Sequence, residues 1–171
     1  MKGVLSLAGE KEIVFAAVEE YLAGVGLRIQ SRDMNRPWGG FLVLEESQAA
    51  LFAKVYFPDV DLSTLKIGGK LSPKILMVQA HKRLSWQYHH RRAEIWKLVA
   101  GTAGVAISDT DQEGPVKKLT LGEVVRLKQG QRHRLIGLDG WGMVAEIWQH
   151  IDARHPSDEN DIVRLQDDFG R

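Results

Sequence analysis

LSWQYHHRRAEIWKLVAG, residues 84–101, places Gln87 and His89 two positions apart and Glu94 five positions beyond them. In an extended strand, residues two apart share a face, so Gln87 and His89 point together. Glu94 is out of phase with that pair. The three converge only if the chain turns near His90–Arg92 and resumes as a neighbouring strand, which predicts a hairpin. A second segment, GEVVRLKQGQRHRLIG at 122–137, sets His133 three residues past Gly130. In extended chain Arg132 and Arg134 then take the face opposite His133. One amide, two imidazoles and one carboxylate make a four-ligand divalent metal site: Gln87, His89, Glu94 and His133. Such a set leaves positions for substrate or water, and zinc is placed ahead of manganese, cobalt, nickel or iron.

Outward from this centre, short apolar or alternating runs follow one another. They are Gly40–Leu44, Ala50–Phe57, Ile75–Val78, Ile95–Val99, Ala103–Ile107, Val124–Leu127, His133–Ile136 and Met143–Trp148. Turn-forming residues at Gly68–Gly69, Asp109–Gly114 and Leu138–Gly140 separate them, as in an all-β sandwich or barrel. Ahead of them, Val14, Ala17, Val18, Tyr21 and Leu22 recur at helical spacing, with Gly24 and Gly26 as stop signals. We read residues 1–30 as a helical extension, and 31–171 as a barrel closed by a polar tail from His155.

The 171 residues suit one domain, and 44% hydrophobic with 26% charged residues is ordinary globular composition. No apolar run is long enough to span a bilayer. The N-terminus, MKGVLSLAGEKEIVF, turns charged too early for a secretory signal, so cytoplasmic localisation is expected. With 23 basic and 22 acidic residues, no whole-surface attraction to nucleic acid or membrane is expected. Local basic clusters at Lys82, Arg83, Arg91 and Arg92, and at Arg126, Lys128, Arg132 and Arg134, would suit an anionic ligand. The absence of cysteine removes thiolate ligands and thiol nucleophiles together.

The two segments resemble the paired motifs of the cupin superfamily, G-x5-H-x-H-x(3,4)-E-x6-G and G-x5-P-x-G-x2-H-x3-N. Gln87 stands at the first histidine, His89 at the second, Glu94 at the glutamate and Gly101 at the closing glycine. Gly122, Gly130 and His133 fit the second motif, while Lys128 and Gly137 replace its proline and asparagine. LSWQYHHRRAEIW is similar to the L-S-L-Q-x-H-x-x-R-A-E-x-W pattern of the type II mannose-6-phosphate isomerase cupin domain, which also occurs fused to mannose-1-phosphate guanylyltransferase. Arg36-Pro37-Trp38-Gly39, Lys74, Asp161-Ile162-Val163-Arg164 and Gly170-Arg171 extend the likeness over roughly 36–171. Glu146-Ile147-Trp148 departs from the family's E-V-Q. Without a guanylyltransferase domain, nucleotidyl transfer is not expected.

The resemblance implies a cupin double-stranded β-helix, or jelly-roll barrel, with a metal-dependent aldose–ketose isomerase of mannose-6-phosphate type. A phosphoheptose isomerase and a non-catalytic sugar-phosphate-binding barrel are the alternatives, with other cupin chemistries behind them. In this reading the metal polarises the carbonyl, and Lys74 or Glu146 moves the proton, the sequence not choosing between them. Arg92 holds the phosphate through bidentate guanidinium contacts, helped by Arg164 and Arg171. A homodimer paired through edge strands is expected. His81, His90, His150 and His155 are read as structural, and the five tryptophans as core or pocket walls.

Overall fold

The chain folds, in a computed structural model describing residues 5–66 and 69–171, around two antiparallel sheets that share two long strands. Met1–Val4, where the N-terminal reading begins, and Gly68 of the Gly68–Gly69 turn lie outside the described residues. The shared strands are β5 (Arg92–Ser108) and β8 (Arg132–His150), which pair with each other along nearly their whole length. In the first sheet the order is β1 (Ile29–Asp33), β2 (Gly39–Leu44), β3 (Lys74–Val78), the second half of β8, the first half of β5, and β7 (Val124–Leu127). The second runs from β6 (Lys117–Lys118) through the other halves of β5 and β8 to β4 (Trp86–Tyr88) and β9 (Val163–Gln166). This is the double-stranded β-helix expected from the motifs. Among the described residues, no helix is long and apolar enough to cross a membrane.

The shared strands change sheet at a register shift between Gly101 and Ala103, where Leu138–Trp141 lie opposite Thr102. Gly101 has φ +73°, and a Cβ there would stand 1.9 Å from the Trp141 carbonyl oxygen. No side chain fits, which is the physical reason for the closing glycine of the first motif. Gly101→Ala should cost about 3 kcal/mol or more through strain and collision, read as a lowered urea midpoint or as insolubility. Leu138–Gly140, expected as a turn, is instead this bulge inside a continuous β8.

Helix α1 (Lys11–Gly24) buries Val14, Phe15, Val18 and Leu22 on one stripe. Each such side chain contributes about 1.5–3 kcal/mol when removed from water. The helix ends where Gly26, at φ +83°, lets Gly26 N–H and Leu27 N–H reach back to the Ala23 and Leu22 carbonyls. Its stripe covers the outer face of the first sheet, packing with Leu42, Leu44, Ile75, Met77, Ile95, Met143 and Ala145. Leu76, Val78, Trp96, Leu98 and Val144 alternate with these and fill the barrel interior. Burial on both faces explains why β3 reads as a continuous apolar run rather than an alternating one.

Two further expectations are corrected. Ala50–Phe57 is not a strand: it is α2 (Ala49–Tyr56), with Ala49, Phe52, Ala53 and Tyr56 buried at helical spacing against the same layer. The chain does turn at His90–Arg91, but β4 and β5 do not pair as a hairpin; each pairs β8, in different sheets. In the polar C-terminal stretch, β9 pairs with β4, and Ser157 and Asp161 are buried.

Candidate functional site

Strand parity gathers one set of side chains at one end of the barrel. On β5 the interior positions Leu98, Trp96, Glu94 and Arg92 run towards that end. On β8 Val144, Glu146 and Trp148 do the same, and on β3 Val78, Leu76 and Lys74. The pairings Lys74–Glu146, Trp96–Glu146 and Glu94–Trp148 fix their heights in the first sheet. From the second sheet, the pairings Gln87–His133 and Gln87–Arg164 bring those residues opposite. The two sheets enclose a cavity of about 380 Å³, within the range of about 300–1,000 Å³ usual for small-molecule sites.

Beside it, at the lining residue Glu94, His89 Nε2 lies 3.1 Å from Glu94 Oε1, and His133 Nε2 lies 3.3 Å from Glu94 Oε2. One ligand atom from each of the three residues falls within 4.8 Å of the others, and all three side chains are buried. The remaining ring nitrogens settle the tautomers. His89 Nδ1 is 2.7 Å from the Asp161 carbonyl and His133 Nδ1 is 2.9 Å from the Gln131 carbonyl. A carbonyl only accepts, so each Nδ1 carries the proton and each Nε2 turns a lone pair to the carboxylate. Glu94 Oε2 and His133 Nε2 are buried without a hydrogen-bond partner. Converging lone pairs of this kind repel unless a cation joins them, and the set fits a divalent ion.

Gln87 adjoins the group. Its Oε1 accepts from Ser85 Oγ at 2.6 Å, and its Nε2 lies 3.5 Å from His89 Nε2. A half-turn of the amide presents Oε1 to the three ligands, while Ser85 Oγ accepts from the amide nitrogen instead.

Arg92 is buried; its Nη2 lies 3.3 Å from His89 Nε2, and its other donors are committed. Nε donates to Glu94 Oε1 at 2.8 Å, and Nη1 to Ser157 Oγ at 2.8 Å and to the Asp158 carbonyl at 3.1 Å. Its guanidinium also stacks 3.7 Å from the centre of Trp148. Burial alone would raise the Glu94 carboxyl, but the Arg92 charge beside it holds it well below the usual carboxylate range. Burial lowers His89 and favours the neutral ring that a metal requires.

Two groups that line the cavity, Glu146 and Lys74, are shifted towards neutrality. Burial, with the neighbouring Glu94 charge, pushes Glu146 up to about 7 against the opposing pull of Lys74. Its two oxygens accept from Trp96 Nε1 at 2.6 Å and Trp148 Nε1 at 2.8 Å, which fixes the carboxyl plane. Burial pushes Lys74 down to about 8, with Glu146 opposing. The Lys74 ammonium lies over the Trp148 and Phe41 rings and pairs with Glu159.

Arg36, Arg164 and Arg171 line the outer part of the cavity. Arg36 pairs with Asp33 and Arg171 with Asp167, whereas Arg164 makes no ion pair among the described residues. The basic clusters expected to meet an anion lie mostly elsewhere. Arg83 pairs with Asp168, Arg132 with Asp111, and the fully buried Arg134 with Glu113 and the Leu84 carbonyl. Sequence reasoning passed over Ser85, Glu159 and the buried Ser157 as site residues, because serines and loop acids carry no periodic signal. His150, set aside as structural, accepts from Ser157 N–H and contacts Ser72 Oγ, so it supports the loop that holds Arg92.

Comparison with known proteins adds an independent line. Residues 45–167 match the family described as mannose-6-phosphate isomerase C-terminal. The mannose-1-phosphate guanylyltransferase ManC of Salmonella typhimurium is 32% identical over 169 residues, covering 99% of this chain and 33% of that protein. A mannose-1-phosphate guanylyltransferase of Escherichia coli K12 is 31% identical over 169 residues, covering 99% and 34%. The chain thus spans about a third of the length of these relatives. Among solved structures, hazelnut vicilin superposes with a TM-score of 0.54 at 15% identity, covering 81% of this chain and 36% of vicilin. That likeness is one of fold.

Proposed function

Because the chain belongs to the mannose-6-phosphate isomerase C-terminal family, we infer that it is a metal-dependent sugar-phosphate isomerase, interconverting an aldose and a ketose of mannose-6-phosphate type. The observation that carries this reading is the convergence of His89 Nε2, His133 Nε2 and both Glu94 oxygens beside a cavity that also holds Lys74 and Glu146. Gln87, His89, Glu94 and His133 would hold a divalent ion, zinc first, which supplies Lewis-acid polarisation of the sugar's carbonyl and hydroxyl oxygens.

The chain's own groups do the rest. Isomerisation moves a proton between adjacent carbons and another between their oxygens. Between pH 7 and 8 Glu146 is mostly ionised and Lys74 mostly protonated, so Glu146 serves as the base at carbon and Lys74 as the acid at oxygen. Trp96 and Trp148 keep the Glu146 carboxyl in one plane. Arg92, with Nε and Nη1 taken, braces Glu94 and acts on the substrate through it. The phosphate falls to Arg164 and Arg171 on the outer wall, with Arg36 beside them. The protein acts in the cytoplasm as a homodimer, paired near the β6–β7 edge, where Val116, Leu121 and Val124 are exposed.

The pH dependence follows from these roles. A base must lose its proton, so kcat/KM rises as pH climbs through about 7; an acid must keep its own, so the rate falls above about 8. With a divalent ion held by Gln87, His89, Glu94 and His133, both limbs would lie at lower pH. A profile of kcat/KM from pH 5 to 10 checks this bell; Lys74→Met should lower the rate, remove the alkaline limb and, by taking away the ammonium that pulls Glu146 down, move the acid limb to higher pH.

The function itself is tested by assaying mannose 6-phosphate, fructose 6-phosphate and sedoheptulose 7-phosphate with and without a chelator. Turnover of one sugar that disappears on chelation and returns with metal is the expected result. Tight binding of a sugar phosphate with no turnover of any would replace the isomerase by a binding module.

A further inference from the structure

Glu159 sits where an anionic ligand would be drawn. Lys74 is buried between Phe41 and Trp148, and among the described residues Glu159 is its only ion-pair partner. The carboxylate belongs to a turn at Glu159–Asn160, and both sides of that turn are pinned. Asp158 Oδ1 accepts from Asn160 N–H and Asp161 N–H, at 2.9 and 3.2 Å. The Asp158 carbonyl accepts from Arg92, and the Asp161 carboxylate from His90 N–H, Arg91 N–H and Ser157 Oγ. The Glu159 side chain is itself 53% exposed. Its backbone is held while its carboxylate is free to leave by side-chain rotation alone.

The wall it faces is cationic. Arg36, Lys74, Arg164 and Arg171 line the cavity with Glu159, and Arg164 has no acid of its own. We propose that Glu159 is a built-in competitor for the substrate's anionic group: Lys74 holds the carboxylate beside the arginines that take the phosphate, and an entering phosphate repels and displaces it. The inference deepens the sugar-phosphate reading and rests on it for the class of ligand. A pair with one half-exposed member is weak and readily exchanged. A phosphate carries more charge than a carboxylate, and can also be gripped in bidentate fashion by guanidinium. Glu159 therefore sets a threshold: neutral sugars lack the charge to expel it, and phosphorylated ones have it.

Calorimetric titration of the full chain, stripped of metal by chelation, tests this with inorganic phosphate and with mannose 6-phosphate. Glu159→Gln keeps the size of the side chain and removes its charge. It should tighten both ligands by roughly tenfold, the scale of relieving one like-charge neighbour. The same change in a Lys74→Gln background should gain far less, because no ammonium is left to hold the carboxylate against the phosphate, and Arg164→Ala should weaken both ligands. Unchanged or weaker binding in Glu159→Gln would overturn the proposal, as would absence of phosphate binding in every variant, or an equal gain with and without Lys74. Turnover is not part of the readout. Binding that follows the prediction in a protein that isomerises no sugar would leave Glu159's role standing and remove only the isomerase.

Discussion

Glu94→Gln is expected to abolish metal retention and lower turnover by at least about a thousandfold, since Lewis-acid assistance is lost with the ion. The carboxylate is the shared member of the cluster: His89 and His133 each approach one of its oxygens, and Arg92 donates to the first. An amide keeps the volume but offers one oxygen in place of two and carries no charge. It also leaves the Arg92 guanidinium buried without its acid, a loss of about 3–5 kcal/mol when one partner of a buried pair is removed. His133→Ala separates the two effects, because it leaves Arg92–Glu94 intact. Metal content by elemental analysis and a thermal melt of each chelated variant check the expectation: both variants lose metal, and Glu94→Gln alone melts much earlier than chelated wild type.

Arg92→Ala carries the second large effect. The side chain ties β5 to the 157–161 segment through Ser157 and the Asp158 carbonyl, stacks on Trp148, and fixes one oxygen of Glu94. Its removal strands a buried carboxylate and frees the segment that accepts from His89 Nδ1, so about 3–5 kcal/mol of stability should go. The kinetic split is the informative readout. A brace for Glu94 predicts a collapse of kcat and of metal content, whereas a phosphate clamp predicts a raised KM with metal retained. Arg92→Lys should not rescue either, because an ammonium cannot reproduce the forked contacts or the stacking.

The Glu94 cluster was legible because it rests on parity. Two residues two apart, a turn, a carboxylate and a distant histidine needed only the right strands to meet. The partnership was misread: Gln87 and Glu94 do not come together across a hairpin, but from opposite sheets joined through β8. Local spacing cannot tell those arrangements apart, since both require a turn at His90–Arg91. The α2 run went unrecognised for a related reason. Eight residues give two helical turns, with no side-chain cap to mark them, and ALFAKVYF is as apolar as a buried strand. Leu138–Gly140 has turn chemistry and makes a bulge, because only pairing with β5 decides whether the chain reverses. Glu159 was illegible altogether: its place beside Lys74 is set by anchors on Arg92, His90 and Arg91, far from it in sequence.

The central claim is that His89, Glu94 and His133, with Gln87, hold one divalent ion. The direct test is the metal stoichiometry of the purified chain, repeated after chelation and reloading with zinc or manganese, with His133→Ala alongside. The account predicts close to one ion per chain, lost on chelation, restored on reloading, and absent from His133→Ala. A wild-type chain that takes up no ion under any of these conditions, or an ion retained in full by His133→Ala, would contradict it.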